Sequence, residues 1–280
     1  MKDFSWPVLG PEFWSVFAVL YAAALIGALA LTPYVLRLVK SSSKPVKASP
    51  RKIAIAGFVQ NAVLFAIVTA GGLLLARAVG LKATPDIDAW LAGGLDANAV
   101  HALAWAAILG AGLGMVLLLA DLALLPRLPA LLNLARKASL WENFAACFYG
   151  GVNEELLTRL LGVSGVAWIF ARVSNAPTAH PPAAAAFWWA IAIMSVLFGL
   201  GHLPAARAVA GRLTPLIVLR SLVLNAVVAV PCGWLFWRYG LEAAIVVHFT
   251  VDIVYHVIGT ALLKLNDRIR IFPWFPRPEA

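Results

Sequence analysis

Seven apolar runs, near residues 13–36, 53–76, 100–125, 143–170, 183–203, 214–237 and 242–263, constrain what this chain can fold into. Each is long enough to cross a hydrocarbon core of about 30 Å as a helix. Within lipid a backbone must satisfy its own hydrogen bonds, which only helices and closed barrels achieve. A barrel would show short segments of alternating polarity, whereas these runs are continuous and rich in Ala and Leu. Composition agrees, with 62% hydrophobic and 12% charged residues, against about half and about a quarter in a soluble domain. The sequence predicts an all-α, polytopic transmembrane bundle of about seven spans, a single integral membrane domain over residues 1–280. The run from Phe13 to Leu36 is too long for a signal-peptide core and no small-residue cleavage site follows it, so it reads as the first span.

Turn and breaker residues separate the runs: Ser41 to Pro45, Thr84-Pro85-Asp86, Pro126 with Pro129, Pro177 to Pro182, and Pro204, expected to stop its helix. The net charge of +9 is spread between the runs instead of forming one patch, which argues against a nucleic-acid partner and for contact with the lipid bilayer. Fifteen Lys and Arg fall on one side of the predicted topology and five on the other. The positive-inside rule then puts the C-terminus in the cytoplasm and the N-terminus outside. Ala-rich, Lys-poor helices and short loops point to a bacterial plasma membrane. Arg220 lies near enough to its helix end to snorkel, and Arg159 does not. Cys147 and Cys232 sit in apolar stretches as core filling, and the Trp residues read as interfacial anchors or packing.

A charge at mid-bilayer costs about 2.5–3.5 kcal/mol even on the lenient insertion scale, so ionisable residues inside spans need a reason. Span four carries Asn153-Glu154-Glu155-Leu156-Leu157-Thr158-Arg159. At helical spacing Glu155 and Arg159 share a face and can pair, whereas Glu154 points elsewhere, over Thr158, and is left for chemistry. Span five ends in Phe198-Gly199-Leu200-Gly201-His202-Leu203-Pro204, where the glycines permit close approach of a helix or substrate. Span seven places His248, Asp252 and His256 on one face. A lone membrane histidine more often serves as an interhelical hydrogen-bonder, the reading kept for His256 and for the membrane-edge His101 and His180. Glu154, His202 and His248 differ in coming as a set from three spans.

These residues resemble the CAAX prenyl protease and bacteriocin-processing (CPBP, Abi) family of intramembrane glutamic endopeptidases. The family pattern is Glu-Glu-x-x-x-Arg, Phe-x-x-x-His and His-x-x-x-Asn or Asp. Glu154-Glu155-Leu156-Leu157-Thr158-Arg159, Phe198-Gly199-Leu200-Gly201-His202 and His248-Phe249-Thr250-Val251-Asp252 match it in order. The resemblance covers roughly residues 140–260, a catalytic core that leaves the first three spans unassigned. It implies hydrolysis of a peptide bond in a membrane-associated protein or peptide, without a cofactor or metal. The implied site residues are Glu154, Glu155, Arg159, His202, His248 and Asp252. Glu154 with His202 would activate water, and His248 with residue 252 would stabilise the oxyanion. Glu155 and Arg159 also fit a purely structural ion pair. Many members have Asn where this chain has Asp252. Either a protonated Asp252 donates to the oxyanion, or an ionised Asp252 orients and charges His248.

Two other functions fit the same side chains. His202, His248, Asp252, His256 and Glu154 include zinc ligand types, although the His-Glu-x-x-His helix motif is missing. Buried Glu, Asp and His also serve proton-coupled transport, but no repeated halves are visible.

Overall fold

The computed structural model describes residues 10–40, 47–137, 139–174 and 182–276. The Ser41 to Pro45 turn, residues 177–181 of the next proline-rich connection, His180, and the basic residues Lys2, Lys44 and Arg277 lie outside them. The described residues form helices and short connections, with no strand among them. Seven helices are long and apolar enough to span a membrane: Pro11–Lys40, Pro50–Ala78, Ala97–Arg127, Leu140–Val173, Ala184–Ala210, Pro215–Tyr239 and Leu241–Ile269. The chain is a multi-pass membrane protein.

Local sequence sets several span boundaries. Ser49 Oγ accepts from Lys52 N, Asp96 Oδ1 from Ala99 N and Thr214 Oγ1 from Ile217 N, which satisfies amides that the first helical turn cannot. Pro50 and Pro215 follow two of these caps, where a missing N–H costs nothing. Spans six and seven are joined by Gly240 alone, at φ +101°, a conformation that side-chain-bearing residues resist. Pro204 departs from expectation. It opens a short helix, Leu203–Ala210, and His202 forms the turn between the two helical segments of span five. Proline is tolerated in a first helical turn, so the residue redirects the helix instead of ending it.

The first three spans grip the rest through glycine notches. A Cβ on Gly110 would lie 2.6 Å from the Val247 carbonyl oxygen and one on Gly114 2.8 Å from Val254 Cβ, so span three lies directly against span seven. Gly72 of span two meets Leu160 in the same way, and Gly27 of span one leaves room for the Asn153 side chain. Asn153 Nδ2 donates to Ala24 O at 2.9 Å. In lipid, where helices gain little from hydrophobic burial, such close approach and interhelical hydrogen bonds hold a bundle together.

Arg220 does not snorkel. Its Nε and Nη2 donate to the two oxygens of Asp121 at 2.6 and 2.7 Å, and Nη2 also donates to the Tyr255 hydroxyl at 2.7 Å. Tyr255 donates in turn to Asp121 Oδ2. Spans three, six and seven thus share one buried ionic cluster, in which the charge is neutralised where it stands.

Among the described residues, two spans widen into π-helical turns. Tyr149–Glu154 and Leu156–Val163 in span four and Ile253–Ile258 in span seven are π-helical. Such wider turns are rare and concentrate at functional sites. Here they border Glu155 on both sides and begin directly after Asp252.

Candidate functional site

Span four supplies two carboxylates with different surroundings. Glu155 and Arg159 are buried, and Arg159 Nη1 lies 2.9 Å from Glu155 Oε1. The guanidinium also donates to Thr158 Oγ1 and, through Nη2, to the Ala229 carbonyl on span six at 3.2 Å. Glu154 keeps 26% of its side chain exposed. The Thr158 hydroxyl donates to the Glu154 backbone carbonyl, and the carboxylate faces span seven.

His248 is where the two carboxylates converge. Its Nδ1 lies 2.6 Å from Glu155 Oε1, the oxygen that also meets Arg159. An ionised carboxylate only accepts, so Nδ1 carries the donated hydrogen and Nε2 is directed to the other side. There Nε2 lies 3.8 Å from Glu154 Oε2 and 3.8 Å from Asp252 Oδ1. These separations are too long for direct hydrogen bonds and suit an intervening oxygen atom. Glu155 is therefore more than the ion-pair partner of Arg159, since it also fixes the His248 ring. Asp252 lies on the Nε2 side of the same ring.

Asp252 lies between two histidines, with His256 Nε2 also 3.8 Å from Oδ1. Exposure rises along this stripe from 5% at His248 to 13% at Asp252 and 45% at His256. Gly150 makes the arrangement possible, because a Cβ there would collide with Asp252 Oδ2 and come within 3.7 Å of His248 Nε2.

His202 joins through Phe198. The Phe198 ring packs edge-on against His202 and His248, with centroids 4.7 and 5.9 Å away, and Arg159 sits 5.2 Å from its centre. His202 Nδ1 lies 2.9 Å from the Phe198 carbonyl, which leaves Nε2 for another partner. Of the two glycines beside it, Gly199 packs on Leu222 of span six, and Gly201 borders open space.

All six predicted site residues thus belong to one connected cluster, built from spans four, five and seven. Sequence reasoning missed the part played by Gly150 and gave no task to Phe198. A glycine one turn before a buried carboxylate pair, and a Phe four residues before a His, were the signals available. Among the described residues no three His, Cys, Asp or Glu side chains converge as metal ligands do.

No curated protein and no solved structure matches the chain. Residues 136–254, which contain all three motifs, match the family model of type II CAAX prenyl endopeptidase Rce1-like proteins, the family to which the motifs point.

Proposed function

We propose that the chain is a membrane-embedded endopeptidase that hydrolyses a peptide bond in a membrane-associated protein or peptide, with Glu154 as the base. The observation that carries this reading is the His248 ring, held through Nδ1 by buried Glu155 and turned with Nε2 towards Glu154 and Asp252. Glu154 takes a proton from water, with His202 as the second contact of that water, and the hydroxide adds to the peptide carbonyl. The oxyanion is met by Nε2–H of His248 in its doubly protonated form, Nδ1–H being held by Glu155, and by the hydroxyl of a protonated Asp252. Glu154 then passes its proton to the departing amine, so one water is consumed and no proton is left over. Donors fixed in advance around the oxyanion contribute most where water is scarce.

The Rce1-like match supports a substrate of CAAX type, with a prenylated segment near the cut bond. The mechanism requires no cofactor. Residues 140–260 form the catalytic core, and the first three spans are its scaffold. The Lys and Arg bias supports a cytoplasmic C-terminus in a bacterial plasma membrane. Cys147 and Cys232 are buried, so cysteines placed at Lys137 and Lys82 should label from opposite faces with little background; labelling from the same face would overturn the topology.

The test of the chemistry is Glu154→Gln, which keeps shape and removes the base. In liposomes, cleavage of a fluorogenic prenylated peptide should fall to background while insertion and thermal stability stay as in wild type. Retention of most activity would remove Glu154 from the reaction. Cleavage of the unprenylated peptide at the same kcat/KM would leave the hydrolase reading intact and withdraw the prenyl specificity.

A further inference from the structure

At the end of the bundle away from His256, residues 80–96 connect span two to span three and fold over the junction of spans six and seven. Three fastenings hold this flap. Leu241 N donates to Ala83 O at 2.8 Å. Glu242 Oε1 accepts from the amides of Asp86 at 3.1 Å and Ile87 at 2.8 Å. Pro85 occupies the space beside Gly240 that any Cβ would fill. The flap is therefore a built wall, fixed by a buried carboxylate six residues ahead of His248.

Between this wall and the start of span three lies a cleft of about 580 Å³. Lys82, Arg238, Asp86 and Asp96 line it, and among the described residues none of the four is in an ion pair. Arg238 stacks on the Trp237 ring at 5.5 Å, which leaves its edge free to donate. Burial and the neighbouring Asp96 push the Asp86 carboxyl above its ordinary range, a sign that this wall has negative charge without a partner.

Two cations and two carboxylates with room between them complement a zwitterion better than a simple anion or cation. The position of the cleft selects the kind. Span three begins at Ala97, span six ends at Tyr239 and span seven begins at Leu241, so the cleft lies where apolar helix gives way to polar connection, at headgroup depth. Ala102 and Leu103 at its edge lead onto a face of span three that exposes Trp105 and Ile108, where acyl chains would run. A soluble peptide would have no use for that continuation.

We propose that this cleft binds the headgroup of a zwitterionic phospholipid bearing a primary ammonium, with Lys82 and Arg238 on the phosphodiester and Asp86 and Asp96 on the ammonium. The site is separate from the cluster around His248, and its occupancy stands independently of the peptidase reading.

Native mass spectrometry of the full chain in detergent, titrated with phosphatidylethanolamine, phosphatidylcholine and phosphatidylglycerol, tests this. Phosphatidylethanolamine should be retained about tenfold more tightly than either other lipid, because phosphatidylcholine has no N–H to donate and phosphatidylglycerol no cation. Lys82→Ala/Arg238→Ala should weaken retention of all three lipids, which share the phosphodiester, and Asp86→Asn/Asp96→Asn should abolish the preference, with peptide cleavage and thermal midpoint unchanged in both; Asn at 96 keeps the helix cap. Lys82→Ala alone, at an exposed position, should already weaken retention, whatever the double variants do to folding. Equal retention of all three lipids by the wild type, or retention that survives Lys82→Ala undiminished, would overturn the proposal. So would displacement of the lipid by a dipeptide as readily as by glycerophosphoethanolamine, which would make the cleft a peptide site.

Discussion

One oxygen atom, Glu155 Oε1, meets both Arg159 and His248 Nδ1, and this sharing ranks the effects of substitution. In Glu155→Gln the amide retains an oxygen for Nδ1 but loses the charge that balances Arg159 and favours an imidazolium in the transition state. We expect cleavage to fall about a hundredfold, the lower end of the loss on removing one oxyanion-stabilising group. Asp252→Asn should stay within about tenfold of wild type, because Glu155 already orients the ring and the amide supplies a donor of the same size. Initial rates on one peptide for both variants check this, and a larger loss in Asp252→Asn would return the orienting role to Asp252. The ionisable residues were legible because a charge in an apolar run is conspicuous. The Glu155–His248 bond was not, since it depends on which way two side chains on different spans turn. The Thr158 hydroxyl takes the nearest acceptor a helix offers, the carbonyl four residues back.

Long apolar runs and proline-marked connections gave the helices themselves away. What the runs conceal is which face of each meets which neighbour, and where the register widens. A π-turn changes hydrogen-bond partners without changing composition, so the segments beside Glu155 and after Asp252 left no mark in the sequence. The glycines of span three show how facing decides an outcome. Gly114 lies against Val254 and Val251 of span seven, while Gly112 has nothing within 4 Å of a built Cβ. Gly114→Leu should push span three away from the helix that carries His248 and Asp252, lowering both the thermal midpoint in detergent and the cleavage rate. Overpacking of this kind costs about 1–3 kcal/mol. Gly112→Leu should match wild type in both measurements, and an equal loss in the two variants would show that helix propensity, not the interspan contact, is responsible.

Across the whole bundle, the Asp121–Arg220–Tyr255 cluster ties span three to spans six and seven, and a sequence gives no spacing from which to pair residues 99 positions apart. Its contribution should be conditional. Arg220→Met strands the Asp121 carboxylate, which is 4% exposed, and breaking a buried pair in this way costs about 3–5 kcal/mol. Asp121→Leu/Arg220→Met removes both charges and should recover most of that loss, because a desolvated pair and an apolar pair of similar volume are often nearly equal in stability. The recovery remains incomplete while the Tyr255 hydroxyl lacks the acceptor it had in Asp121 Oδ2, a deficit of about 1–3 kcal/mol. Adding Tyr255→Phe removes that group and should bring the thermal midpoint back to near the wild-type value. Tyr255 also belongs to the π-helical turn that follows Asp252, so stability and catalysis should separate here. The triple variant should be as stable as wild type yet slower in peptide cleavage, because the turn is no longer anchored to a fixed ionic partner. A triple variant that is both stable and fully active would show that the cluster only joins helices; one as unstable as Arg220→Met would show that the charges themselves hold the three spans together.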